Sequence, residues 1–201
     1  MVKRKRKSRG IFAIEGEWSS DLRSGLSFRP ILDLINKLNG ASIVHRDAAT
    51  REELFYYLTK WCQSRYSTYP ILCLGFHGEQ DSILIGDRRA TNHRISLDEL
   101  ADHLNGRCQK RIIYFGSCET MNIHGTRIQT FLKRTGALAV CGYRYPIDML
   151  RSAAFELLLF DALLKVKTLT ISGARAIERA ITQNERSLSK QLGLRMVVRR
   201  G

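Results

Sequence analysis

The chain of 201 residues has no long run of apolar residues. Its longest apolar stretch, residues 153–164, is interrupted by Glu156 and Asp161 and is too short to cross a bilayer. Only residues 11–14 separate the basic N-terminal segment from Glu15, which is too few for the hydrophobic region of a signal peptide. The sequence therefore predicts a soluble protein that is not exported and has no membrane partner.

Cysteine is present without the spacing of a metal site or of a disulfide framework. The five cysteines, at positions 62, 73, 108, 118 and 141, are an odd number, and no Cys-x-x-Cys pair occurs. Cysteine and histidine nowhere lie at the spacing of zinc ligands. Several cysteines fall within predicted strands or helices instead of turn-rich loops. We therefore expect no metal, no cofactor and no disulfide, and a cytoplasmic, reducing location.

The sequence also has no internal repeats and no linker that would divide it into domains. Its composition, with 44% hydrophobic and 26% charged residues, is ordinary for one globular domain. The formal net charge is +14, and six of the positive charges lie within residues 3–9. We expect residues 1–9 to be a basic flexible arm and residues 10–201 a single domain. The arm binds nucleic acid through phosphate contacts, directs nuclear import in a eukaryote, or is simply solvated. Arg195, Arg199 and Arg200 would add phosphate contacts in the first case.

Two short apolar runs each lead to a reactive side chain. Residues 70–76 lead to His77 and Gly78, and residues 111–117 lead to Cys118. Each run has the length of a buried parallel strand, and open α/β sheets build their sites at the carboxyl ends of such strands. A single cysteine or histidine in this position is usually structural. Their joint occurrence makes His77 and Cys118 a candidate catalytic dyad.

The chemistry of this pair is specific. A thiol that attacks a carbonyl needs a base to become a thiolate, and an imidazole can then give a proton to the departing amine. Because Gly78 has no Cβ, its backbone N–H can approach a ligand closely. Together with the N–H of Cys118 it could stabilise a developing oxyanion.

The remaining pattern alternates strands and helices, which favours an α/β fold with parallel pairing and right-handed crossovers. Thr50 with Glu53, and Ser96 with Glu99, have the spacing of capping boxes that begin two helices. Strands are predicted at 10–15, 41–45, 70–76, 111–117, 137–141 and 192–199, a small hairpin at 82–94, and helices at 27–38, 50–63, 96–104, 125–134, 150–164 and 172–186.

His77-Gly78, followed by Cys118 at the end of the next long apolar run, resembles the caspase-like cysteine peptidases, which include caspases, gingipains, clostripain and legumain. Residues 137–148, followed by the apolar helix, are similar to the corresponding segment of the separase and CHAT-like branch. The resemblance covers roughly residues 10 to 165. It implies a three-layer α-β-α sandwich with a mostly parallel central sheet, and a cysteine endopeptidase that cuts a protein or peptide substrate.

In that family, separase and clostripain use acidic residues to accept arginine or lysine before the cut bond. The resemblance makes Asp148, Glu119, Glu15 and Glu17 the candidate substrate-binding residues, Asp148 foremost, although Asp148 could equally cap the following helix. Gly116 stands where clostripain-like enzymes have an acid. The alternative function is an inactive caspase-like binding module, and activation by a separate regulatory partner protein stays open.

Overall fold

The computed structural model describes residues 9–86, 92–166 and 168–200. Residues 3–8 of the basic arm and residues 87–91 of the expected hairpin lie outside the described part. The strands are β1 Gly10–Glu15, β2 Ser42–Asp47, β3 Ile71–Gly75, β4 His77–Glu79, β5 Ser82–Leu84, β6 Arg94–Ser96, β7 Ile112–Phe115, β8 Ala139–Tyr143 and β9 Leu194–Val198.

The helices cover much of the remaining chain. They are α1 Arg29–Asn39, α2 Arg51–Trp61, α3 Leu97–Leu104, α4 Gly125–Thr135, α5 Met149–Lys165, α6 Ile171–Asn184 and α7 Arg186–Gln191, with one 3₁₀ turn at Ser64–Tyr66. Both expected capping boxes are present, since Thr50 and Ser96 each bind the backbone N–H of a glutamate three residues on, and that glutamate binds back. No helix within the described ranges is both long and apolar enough to cross a membrane.

A six-stranded sheet forms the middle layer, in the order β2-β1-β3-β7-β8-β9. All neighbours pair in parallel except β8 and β9, which are antiparallel. Alternate residues of each strand face opposite sides, so that Phe12 and Ile14 belong to one core and Ile11 and Ala13 to the other. Helices α2, α3 and α4 cover the first face, and α1, α5 and α6 cover the second. The expected α-β-α sandwich with a mostly parallel sheet is confirmed.

Three details differ from the sequence expectations. His77 begins a short strand instead of lying in a loop, because residues 77–79 pair with residues 82–84 and then β6 in a separate antiparallel sheet. The final strand runs antiparallel to β8. Helix α7 was not expected, since its six residues are too few to show a helical apolar period.

One carboxylic acid lies inside the second core. Glu156 of α5 is 1% exposed, and its Oε1 accepts hydrogen bonds from the hydroxyls of Tyr114 at 2.5 Å and Tyr143 at 3.3 Å. Burial raises the pKa of Glu156 to about 7, and the two hydroxyl donors oppose that rise. At neutral pH this acid is therefore partly protonated within the fold.

Candidate active site

The carboxyl ends of β3 and β7 bring His77 and Cys118 to the same edge of the sheet. The two strands are parallel neighbours with Leu74 opposite Phe115, and the N–H of Gly116 donates to the Leu74 carbonyl at 2.8 Å. His77 lies three residues beyond Leu74, and Cys118 three residues beyond Phe115. The adjacency expected from the apolar runs is therefore present in the backbone.

Gly78 packs directly on the turn that contains Cys118. A Cβ at Gly78 would lie 2.5 Å from Thr120 Oγ1 and 2.7 Å from Ser117 Cβ, and would collide with the Cys118 carbonyl oxygen. Such distances are too short for any side chain, so the close approach depends on glycine. The backbone beside His77 is thus held against the backbone of the candidate nucleophile.

Hydrogen bonds fix the shape of this turn. Thr120 Oγ1 shares a hydrogen bond with Ser117 Oγ at 2.7 Å and donates to the Ser82 carbonyl at 3.0 Å. The Thr120 N–H donates to the Cys118 carbonyl at 2.6 Å, and Glu119 adopts a left-handed φ of 55°. Ser117 and Thr120 are buried whereas Cys118 is half-buried, so the hydrogen bonds hold a turn whose Cys118 keeps part of its surface in contact with solvent.

The segment after the turn is bound from β8 and β9. The N–H of Met121 donates to the Tyr143 carbonyl at 3.0 Å. Arg195 Nη1 donates to the carbonyls of Met121 at 3.2 Å and of Ile123. The sequence grouped Arg195 with residues that contact phosphates, whereas its half-buried guanidinium binds the carbonyls of the candidate active-site loop.

A backbone carbonyl orients the ring of His77. His77 Nε2 lies 3.0 Å from the Trp18 carbonyl oxygen, and the two rings meet edge to face with centroids 5.4 Å apart. Because a carbonyl only accepts, Nε2 carries the proton and donates it. The lone pair of the neutral ring is then on Nδ1, which is the arrangement of a base held by a third group.

Glu15 anchors the loop that supplies this carbonyl. Its carboxylate accepts hydrogen bonds from Trp18 Nε1 at 2.9 Å, the Phe28 N–H at 2.8 Å, Ser27 Oγ, and His45 Nε2 at 2.5 Å. Burial alone would raise the pKa of Glu15, but these donors lower it below its ordinary value. Glu15, predicted as a substrate-binding residue, thus uses its oxygens to position Trp18 and, through it, His77.

Glu15, His45 and Asp47 also place one ligand atom each within 4.8 Å of one another, a spacing compatible with a metal ion. The four hydrogen bonds that Glu15 accepts already occupy its oxygen lone pairs. These hydrogen bonds therefore account for Glu15 and His45, and Asp47 is an exposed side chain beside them.

The ring of Phe28 fills the space beside the strand ends. A Cβ at Gly75 would lie 2.8 Å from this ring, and one at Gly116 would collide with the Cζ of the same ring. The site therefore has no room for an acidic side chain at position 116. The departure from the clostripain pattern has a steric reason.

A cavity of about 230 Å³ opens beside Trp18 at the carboxyl ends of β1 and β2. Its acidic lining residues are Glu15, Glu17, Asp21 and Asp47, of which Asp21 pairs with Arg23 at 2.8 Å. Glu17 and Asp47 are exposed. Sequence reasoning singled out Glu17 but missed Trp18 and Asp47, because nothing in the local pattern assigns either of them to this cavity.

The two other acids predicted to bind substrate lie elsewhere. Asp148 is exposed and caps α5, with its Oδ1 accepting the Arg151 N–H at 2.8 Å. Glu119 is half-buried in the turn next to Cys118. Neither lines the cavity in the part of the chain that the structure describes. Of the four candidate acids, only Glu15 and Glu17 border it.

Solved structures resemble this fold. Caspase-1 from Spodoptera frugiperda superposes with a TM-score of 0.55 at 12% sequence identity, over 96% of this chain and 87% of that one. Pro-sf-caspase-1 gives a TM-score of 0.49 at 14% identity, over 78% and 70% of the two chains. At such low identity the likeness to the first establishes the fold, and the protein has a caspase-like α/β fold.

The family model that matches residues 8–197 is DUF6642, a family of unknown function, and the chain belongs to this family. No curated protein matches the sequence. The caspase-like fold expected from the sequence is confirmed, whereas the assignment to the separase and CHAT-like branch stays a prediction.

Proposed function

We propose that this protein is a cysteine endopeptidase in which Cys118 is the nucleophile and His77 is the general base and acid. The observation that carries the proposal is the geometry around His77. The Trp18 carbonyl fixes its Nε2, while Gly78, the next residue, packs on the Cys118 turn. Residues 10–201 act as one such domain, and the basic arm takes no part in the chemistry.

The reaction begins when His77 Nδ1 takes the proton of the Cys118 thiol. The thiolate attacks the carbonyl carbon of the scissile peptide bond, and the carbonyl oxygen becomes an oxyanion. Collapse of this intermediate breaks the carbon–nitrogen bond, and the imidazolium gives its proton to the departing amine. Water, deprotonated by His77, then hydrolyses the thioester and regenerates the thiol.

The backbone N–H groups of Gly78 and Cys118 are the proposed donors to the oxyanion. Their peptide units belong to two segments that touch, since no side chain fits between Gly78 and the Cys118 carbonyl. Donors held rigidly before the reaction stabilise the developing charge without reorganising. The hydrogen bonds of Thr120 to Ser117 and Ser82 supply that rigidity.

The substrate residue before the cut bond is basic in this proposal. The cavity next to Trp18 carries the exposed carboxylates of Glu17 and Asp47, and a lysine or arginine side chain would gain charge-assisted hydrogen bonds there. Glu119, beside the nucleophile, and Asp148, at the start of α5, are the alternative acids.

The test is covalent labelling with a peptidyl acyloxymethyl ketone that carries arginine next to the electrophile. The parent protein should be modified at Cys118, and Cys118→Ala should not be labelled. His77→Ala should be labelled at least tenfold more slowly, because general-base catalysis typically contributes roughly 100-fold or more. Labelling mainly at another cysteine, or at the parental rate in His77→Ala, would contradict the proposed dyad.

A further inference from the structure

Two cysteines lie together at the opposite end of β7 from Cys118. Cys62 is the residue directly after α2, and Cys108 lies in the turn between α3 and β7. Arg111 contacts the chain at both cysteines: its N–H donates to the Cys108 carbonyl at 3.2 Å, and its guanidinium meets Trp61 and Gln63, the two chain neighbours of Cys62. Cys108 is fully buried, whereas Cys62 is half-buried and can be reached from solvent by a small molecule.

A buried guanidinium accompanies this pair. Arg111, the residue before β7, is 6% exposed, and its guanidinium lies 4.5 Å from the centre of the Trp61 ring. Its Nη2 makes a long contact of 3.5 Å with the Gln63 carbonyl, and its Nη1 has no hydrogen-bond partner among the described residues. Since leaving a buried donor unsatisfied is costly, an anion next to Arg111 would be stabilised.

The charges around the two thiols make them unequal. Interaction with the neighbouring Cys108 thiol lowers the pKa of Cys62, and the positive charges of Arg107 and Arg111 act in the same direction against burial. The same interaction and burial raise the pKa of Cys108. Cys62 is thus the more acidic thiol of the pair and loses its proton first. A thiolate with a thiol beside it is typical of redox-active cysteine pairs.

We propose that Cys62 and Cys108 form a redox site that hydroperoxides oxidise to an intramolecular disulfide. The Cys62 thiolate attacks the terminal oxygen of the hydroperoxide, the O–O bond breaks, and the other oxygen leaves as hydroxide or alkoxide, which is protonated to water or to the alcohol. The Cys108 sulfur then attacks the resulting sulfenic acid. Its S–O bond breaks, the S–S bond forms, and the hydroxyl leaves as water with the Cys108 proton, so two thiols are oxidised and one peroxide is reduced.

This site is separate from the proposed catalytic dyad. Arg111 immediately precedes β7 and Cys118 follows its other end, so the two sites lie at opposite ends of a strand whose 4 residues span about 13 Å at roughly 3.3 Å per residue. The redox proposal therefore does not depend on the peptidase proposal. It concerns the buried Arg111 and the two thiols, which the peptide-cleavage mechanism does not use.

The experiment maps disulfides after treatment with hydrogen peroxide. The folded Cys118→Ala protein, which lacks the half-buried competing thiol at position 118, is treated with peroxide, alkylated and digested with trypsin. Cleavage after Lys60, Arg65, Arg107 and Lys110 releases residues 61–65 and residues 108–110 as separate peptides. We expect these two peptides to be joined with the loss of two hydrogens and to separate again with a reductant. The buried Cys73 and Cys141 serve as internal controls and should remain alkylatable after unfolding.

A second variant tests the order of the two steps. Cys108→Ser keeps a hydroxyl that can donate to Cys62 but cannot form a disulfide. Peroxide should then leave Cys62 as a sulfenic acid, which a cyclic diketone traps. The proposal is overturned if the parent and Cys118→Ala proteins give no 62–108 cross-link, if Cys62 joins a different cysteine, or if Cys62 in Cys108→Ser is oxidised no faster than Cys73.

Discussion

Replacing Gly78 by alanine tests the contact on which the candidate active site depends. The added Cβ would lie 2.5 Å from Thr120 Oγ1 and 2.7 Å from Ser117 Cβ, and would overlap the Cys118 carbonyl. None of these atoms can move freely, because Thr120 Oγ1 is bound to Ser82 and Ser117, and the carbonyl accepts the Thr120 N–H. The strand that carries His77 must therefore separate from the Cys118 turn.

The expected loss of stability follows from the number of fixed atoms that the added methyl group meets. Overpacking at a closely packed site typically costs about 1–3 kcal/mol in the free energy of unfolding. For a chain of this length each kcal/mol lowers Tm by about 2–4 °C, so Gly78→Ala should lower Tm by about 2–12 °C. If the dyad separates by about 1 Å, labelling of Cys118 by the arginine electrophile should slow by up to about 100-fold.

Gly25→Ala provides the matched control, since no atom lies within 4 Å of a Cβ at Gly25. Thermal unfolding and the labelling rate are measured for the parent and both variants. Gly25→Ala should stay within about 0.5 kcal/mol of the parent in unfolding free energy and should react at the parental rate. If Gly78→Ala matches Gly25→Ala in both measurements, the His77 strand does not pack on the Cys118 turn and the proposed dyad loses its geometric basis.

Two further predictions concern the buried acid and the acidic cavity. The pKa of Glu156 in the folded protein is about 7, above its ordinary value of 4.5. Protonated Glu156 therefore contributes to the free energy of unfolding fully below about pH 4.5, and this contribution is lost as pH rises through 7. The loss amounts to on the order of 3 kcal/mol by pH 8, and Glu156→Gln should remove it. The urea midpoint is measured at pH 5 and pH 8 for the parent and the variant. An equal change of the midpoint in both proteins would show that Glu156 is not the titrating group. For the cavity, matched peptides with arginine, leucine or aspartate before the cut bond should be cleaved best with arginine. Glu17→Gln or Asp47→Asn should lower kcat/KM for the arginine peptide by roughly tenfold or more and leave kcat/KM for the leucine peptide unchanged. If only Asp148→Asn lowers kcat/KM for the arginine peptide, the acid that binds arginine is Asp148 at the start of α5. A preference for the aspartate peptide would exclude an acidic pocket.

The parts of the fold that the sequence predicted well depend on local patterns. Apolar runs locate β3 and β7, and the Thr50 and Ser96 capping boxes begin α2 and α3 where they were expected. Parallel pairing follows from alternation of strands and helices. The apolar runs also placed His77 and Cys118 correctly at the ends of neighbouring strands. That prediction needed only the position of each residue directly after a predicted strand.

The supporting contacts of the site could not be predicted because they join residues far apart in the chain. The carbonyl that orients His77 belongs to Trp18, which precedes it by 59 residues in a loop without a regular pattern. Glu15 follows the first strand, as a substrate-binding acid would, but the sequence does not show that its carboxylate is buried and accepts four hydrogen bonds. The capping role of Asp148 was one of two interpretations that its position allowed, and the backbone of α5 shows that it does cap the helix.

Arg195 has a consequence for the order in which the protein is completed during synthesis. The turn that carries Cys118 is bound by a guanidinium located 74 residues later than Met121. Protein chains leave the ribosome amino end first, and folding begins on the part already made. His77 and Cys118 therefore emerge before one of the side chains that hold their loop in shape. The nascent chain keeps an incompletely supported thiol loop until β9 has joined the sheet, so the proposed active site takes its final shape only after β9 has been made.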